Sequence, residues 1–203
     1  MAAIKDVVET HRLWSEYLLA LIQTFEGEAS NYVSTFSTAN RERVSGYRNL
    51  LWIWHRLDLA RWNMSKVPLR AGKKEKTVAE VDHCVSFVLW EDKLKSGLPA
   101  KLPDLDDARA VANQLGNCAL LEKNFNISKG SKSMKSFLEQ IHEFKENKIS
   151  LNDWASALAM PKELIDSEGA SVDAIVGAIE YRDTAVRADL IEFVRGQKVR
   201  QDI

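Results

Sequence analysis

Residues 114–137 read Gln-Leu-Gly-Asn-Cys-Ala-Leu-Leu-Glu-Lys-Asn-Phe-Asn-Ile-Ser-Lys-Gly-Ser-Lys-Ser-Met-Lys-Ser-Phe, and the fold turns on this stretch. Gly116-Asn117 is turn chemistry. Asn117–Glu122 then has the length and apolar centre of a short strand. Beyond it, Asn126-Ile127-Ser128-Lys129-Gly130 leads into a helix that Ser131 or Ser133 is placed to open. Met134, Phe137, Leu138, Ile141 and Phe144 recur at helical spacing behind that cap. Upstream, Thr77-Val78-Ala79-Glu80-Val81-Asp82-His83-Cys84-Val85 alternates loosely and is rich in β-branched residues, which predicts a first short strand.

Outward from these strands the pattern is helical. Ile4, Val7, Val8, His11, Leu13, Trp14, Tyr17, Leu18, Leu21, Ile22 and Phe25 form one wide apolar face. A second helix is expected from the Ser37–Asn40 cluster, with Leu50, Leu51, Ile53, Trp54, Leu57, Leu59, Ala60 and Met64 as its apolar surface, to about Lys66. Pro99 and Pro103 mark a loop, and Asp104 is placed to cap a helix ending near Gly116. Leu151–Met160, ended by Pro161, and about Val172–Arg195, stopped by Gly196, complete the chain. The expectation is a mainly α protein with a small embedded β-hairpin. Its parts are an N-terminal helical region (1–76), a ββα core with an inserted loop and helix (77–146), and C-terminal helices packed on that core (147–203).

The chain has 203 residues, enough for a substantial core, and its 28 Lys+Arg against 29 Asp+Glu give a net charge of −1. No apolar run approaches the roughly 20 residues of a membrane span, and the start lacks signal-peptide regions. Two cysteines are no disulfide framework, so a cytoplasmic location is expected. The near-zero charge hides a local pattern. Lys123, Lys129, Lys132 and Lys135 stand in a stretch without an acid, as do the basic residues of 66–74, while acids gather at 104–107 and 163–173. Lys129, Lys132 and Lys135 are candidate contacts for DNA phosphates, with solvated surface as the ordinary alternative.

Asp82-His83 ends the first strand, Asn117 begins the second, Asn126 follows nine residues later and Lys129 three after that. This order resembles the HNH nuclease motif, the ββα-metal fold. More specifically, residues 114–137 and the distal Ala174-Ile-Val-Gly-Ala-Ile-Glu-Tyr-Arg182 helix are similar to the C-terminal nuclease domain of Gmr-type modification-dependent restriction endonucleases. The resemblance covers about 78–195. It implies His83 as general base and Asn117 as the residue positioning it. It implies Asp82 and Asn126 as ligands of a divalent Mg²⁺ or Mn²⁺, with Asn124 the alternative to Asn126, and Arg182 as a phosphate contact. Such roles suit the chemistry. A histidine near pKa ~6.5 can take a proton from water at neutral pH, and a hard cation prefers carboxylate and amide oxygens. The related domains usually continue His-x-x-Pro and often carry Glu before the His; here Cys84-Val85-Ser86 follows, and Asp82 precedes.

Each residue also has a plainer reading. His83 reads as a hydrogen-bonded or surface histidine, Asn117 as a turn residue, Asn126 as a cap, and Arg182 as a salt-bridge partner of Glu180 or Asp183. Cys84 and Cys118 are too few for a zinc site and are expected in the core behind the motif. His11, His55 and His142 look structural or exposed. Trp54 belongs to an apolar stripe, whereas Trp52 and Trp62 are free to be surface contacts; Trp14, Trp90 and Trp154 lie elsewhere.

The resulting expectation is a metal-dependent DNA endonuclease, the effector part of a bacterial anti-phage or modification-dependent restriction system acting on double-stranded DNA. No Gly-rich phosphate loop is present, so an N-terminal sensor or nucleotide-hydrolysing domain is expected on a partner subunit or a longer chain. The alternatives are a catalytically degenerate DNA-binding module of the same fold and an all-α interaction subunit.

Overall fold

In a computed structural model, residues 50, 51, 54, 79–141 and 150–194 are described. The expected helices over 4–25 and 37–66, the basic stretch 66–74, His11, His55, His142, Trp14, Trp52, Trp62 and the Trp154 side chain lie outside them, apart from Leu50, Leu51 and Trp54.

The two strands are present and pair. β1 (Ala79–His83) runs antiparallel to β2 (Cys118–Glu122), with His83 opposite Cys118 and Asp82 opposite Ala119. β1 is expected to reach Val85 but stops at His83. The Cys84 and Val85 N–H groups turn from the ladder to Asn117, bonding its main-chain O at 2.7 Å and its Oδ1 at 2.9 Å. Asn117 itself belongs to a 3₁₀ turn, Leu115–Asn117, rather than to β2.

Two helices occupy the connection between the strands. α1 (Phe87–Ser96), a helix not expected from the sequence, starts at Ser86, whose Oγ accepts from the Leu89 N–H, and buries Trp90 and Leu94 four residues apart. α2 (Leu105–Val111) begins at Asp104, whose carboxylate accepts from the Asp106 and Asp107 N–H groups. It ends short of the expected Gly116. Trp90 Nε1 donates to Ala108 O at 2.8 Å, joining α1 to α2.

After β2 the chain enters α3 (Lys123–Lys129) at once and then α4 (Met134–Leu138), the latter capped by Ser133 Oγ. α4 is the helix expected to open at Ser131 or Ser133, and α3 before it is additional. The division lies at Gly130, in the left-handed region at φ 52°, with its N–H on Asn126 O. α5 (Leu151–Ala157), α6 (Lys162–Ile165) and α7 (Val172–Val194) follow. α5 closes in a Schellman turn: Met160 N–H bonds Ala155 O, Ala159 N–H bonds Ser156 O, and Ala159 takes φ 43°.

The fold is therefore mostly helical with one two-stranded antiparallel sheet. One apolar cluster joins Leu50, Leu51 and Trp54 to β2, α4 and α7. α7 passes so close to the 3₁₀ turn that a Cβ on Gly116 would lie 2.1 Å from Ile179 O, so only glycine fits there. No helix among the described residues is long and apolar enough to cross a membrane.

Candidate functional site

The motif residues collect around the end of β1. Strand alternation puts Glu80 and Asp82 on one face, and on a helix residues three apart share a side. α3 applies that match: Asn126 Nδ2 donates to Glu80 Oε2 at 2.8 Å, and Lys129 Nζ stands 2.9 Å from Asp82 Oδ2. The same ammonium donates to the His83 main-chain O at 2.7 Å. Lys129 is thus the hub that joins α3 to both motif residues of β1.

His83, at the last position of β1, takes the alternate direction. Its Nε2 lies 3.0 Å from Asn113 Oδ1, in the turn after α2. With that amide oxygen as acceptor, Nε2 carries the proton and Nδ1 the lone pair. Burial of the half-buried ring lowers its pKa to about 4, against the bond to Asn113, so the imidazole is neutral at pH 7. Asp82 shifts the other way: desolvation raises its carboxyl above the ordinary value, opposed by the Lys129 ammonium.

Asn117 is buried, and its side chain spends three hydrogen bonds on the main chain. Oδ1 accepts from Val85 N–H, and Nδ2 donates to Val85 O at 3.1 Å and Ala112 O at 2.8 Å. It fastens the segment just past His83 to the end of α2. Arg182 supports Asn117 from α7. Its Nη1 donates to Gly116 O and to Cys118 O, both at 2.7 Å, and Nε to Leu158 O at 3.1 Å. The guanidinium also lies over the Trp54 ring, 5.3 Å from its centroid.

These contacts correct two expected phosphate contacts. Lys129 and Arg182 are both fully buried and bonded to protein groups, so neither presents its charge to a surface ligand. Arg182 holds three carbonyls rather than Glu180 or Asp183, because a five-donor fork can satisfy the orphan acceptors of two chain reversals at once. Lys132 remains exposed, its Nζ on Ser128 O at 2.9 Å. Lys135 pairs with Asp166 at 2.8 Å on the partly exposed surface. Asn124 lies on α3, and its side chain is outside the described residues.

Cys84 and Cys118 are free and buried. Burial pushes the Cys84 thiol up and the Cys118 thiol well up, which keeps them protonated and poor ligands. Among the described residues no group of three or more His, Cys, Asp and Glu side chains is arranged to hold a metal. The side chains that carry oxygens and neighbour one another are Asp82, Glu80 and Asn126, the last with its Nδ2 rather than Oδ1 on Glu80. That set fits a hard cation such as Mg²⁺ or Mn²⁺ in chemistry, with Lys129 already on Asp82.

Glu80 and Asn113 are the two site residues that sequence reasoning missed. Glu80 carried a signal, standing two residues before Asp82 and hence on its strand face. Asn113 carried none, since its place beside His83 depends on the fold of the connection. A separate cavity of about 750 Å³, lined by Ala155, Ala159, Met160, Gly177 and Tyr181 among others, contains none of the motif residues. No family model, curated protein or solved structure matches the chain.

Proposed function

We propose that this chain is an HNH-like ββα nuclease domain that hydrolyses phosphodiester bonds of double-stranded DNA with the aid of Mg²⁺ or Mn²⁺. The observation that carries the reading is the order β1–β2–α3 with Asn126 and Lys129 seated on the Glu80/Asp82 face and Lys129 also bonding the His83 main-chain O. His83 is neutral at pH 7 with Asn113 on Nε2, and in this reading its imidazole is the group that takes the proton of the attacking water. Asn117 fixes the backbone just beyond the base. Asp82 and Asn126, with Glu80 beside them, would hold the cation, which when bound neutralises charge at the phosphate and leaving oxygen. Lys132 and Lys135 supply cations on the surface of the α3–α4 segment. In this reading the chain serves a cytoplasmic, bacterial anti-phage or modification-dependent restriction system, with target choice left to a sensor domain or partner subunit.

The test is relaxation of supercoiled plasmid with Mn²⁺ by the wild type and by His83→Ala. Loss of nicking in the variant is expected; equal activity in both, or none in either across several metals, refutes the reading. The Lys129 ammonium on Asp82 and the turn of His83 toward Asn113 favour a second reading, a non-cleaving DNA-binding module of the same fold. Salt-sensitive DNA binding without nicking would establish it.

A further inference from the structure

We propose that Lys129 is a built-in competitor for the cation at Asp82: in the metal-free protein its ammonium occupies the carboxylate, and a divalent ion must displace it to bind. The inference rests on the reading of Asp82 and Asn126 as cation-holding residues.

Lys129 has no exposed surface, and the Asp82 side chain is only 11% exposed. A buried carboxylate and a buried ammonium each need a counter-charge, and here each is the other's. The lysine also stands one helical turn beyond Asn126, on the side of α3 that faces Glu80 and Asp82. The ammonium therefore sits at the very carboxylate expected to hold the ion. A neighbouring hydrogen-bonding group often orients a ligand and tightens metal binding by about 10–100-fold. A positive neighbour differs, because two cations sharing one desolvated carboxylate repel at short range and low dielectric, and that repulsion outweighs the gain from orientation. The residue type permits release. A lysine is a compact charge on a flexible four-carbon stem, and this one closes α3 just before Gly130, where the chain leaves the helix. The site is thus assembled without metal and loads only where divalent ion is abundant enough to win.

The test measures Mn²⁺ binding to the full chain without DNA, by electron paramagnetic resonance of free Mn²⁺. Lys129→Met should bind at least about tenfold more tightly than the wild type and Lys129→Arg no more tightly. Adding Asp82→Asn to Lys129→Met should abolish the gain. Acetylation of Lys129 in the wild type, followed by mass spectrometry, should rise several-fold in saturating Mn²⁺. Equal or weaker binding by folded Lys129→Met overturns the proposal and makes Lys129 an orienting residue. Should that variant not fold, unchanged acetylation in 10 mM Mn²⁺ overturns it instead. Neither readout involves cleavage. Tightened binding without nicking would remove the nuclease reading alone, and nicking with unchanged binding would remove this inference alone.

Discussion

Replacing Asn117 by alanine strips the main chain of three partners at once. The Val85 N–H loses Oδ1, and the carbonyls of Val85 and Ala112 lose Nδ2. A buried polar group left unsatisfied costs about 1–3 kcal/mol, so three independent losses would sum to about 3–9 kcal/mol. The lower half of that range applies, because the vacated amide leaves room for water to reach some of the orphaned groups. We expect about 4 kcal/mol of lost stability, which for a domain of this size lowers Tm by about 10 °C. Urea unfolding followed by tryptophan fluorescence measures it, with Trp90 and Trp54 both in the core. Asn117→Asp is the control for shape. It keeps an acceptor for Val85 N–H but turns a carboxylate oxygen on two carbonyls, so it should be no more stable than the alanine variant. A loss below 1 kcal/mol for Asn117→Ala would show that the connection between the strands is held by something other than this amide.

Protonation of His83 should act on stability with a definite sign. Its folded pKa of about 4 lies below the ordinary 6.5, so the unfolded chain binds the proton more tightly, and stability present above pH 6.5 is lost as pH falls through 4. The stability difference between wild type and His83→Gln should shrink by about 3 kcal/mol between pH 7 and pH 4, measured by urea titration at each pH. Ala159 adopts φ 43°, which costs an L-residue about 1–2 kcal/mol; Ala159→Gly should raise stability by about 0.5–1 kcal/mol once the looser unfolded chain is subtracted. A fall in Tm would contradict the Schellman turn. Arg182→Met should cost at least about 3 kcal/mol because three carbonyls lose their donor, whereas Lys132→Ala should stay within about 0.5 kcal/mol. Similar losses for the two variants would undo the distinction between buried and surface cations.

The strands were legible because their signals are local. β-branched residues over 77–85 and an apolar run over 118–121 need no knowledge of the rest of the chain. The cap at Asp104 and the burial of Trp54 were readable for the same reason, while the expected stop at Gly196 lies outside the described residues. α1 escaped because its helical signal is thin: Trp90 and Leu94 are its only buried residues, and the Ser86 cap is one hydroxyl. The division of α3 from α4 was signalled by Gly130, whose left-handed angle the sequence permits without requiring. The charges were the least legible. A lysine among lysines reads as surface, and nothing local separates Lys132, which is exposed, from Lys129, which is buried. That distinction depends on Asp82, a residue on a strand across a long connection, and only the folded chain brings the two together. Arg182 was misread likewise, since its partners are main-chain carbonyls and leave no trace in side-chain patterns.

The clamp of Arg182 on the carbonyls flanking Asn117 also sets an order of events during synthesis. The strands are separated by a long connection, and the group that braces the start of β2 arrives more than sixty residues later, on α7. Contacts so distant along the chain form slowly, and none can form before the ribosome has released residue 182. A nascent chain halted before α7 has made Asp82, His83, Asn117 and Asn126 but lacks the brace that sets them in place. The proposed cutting machinery would therefore be completed last, and an unfinished copy should do no harm to the DNA of the cell translating it.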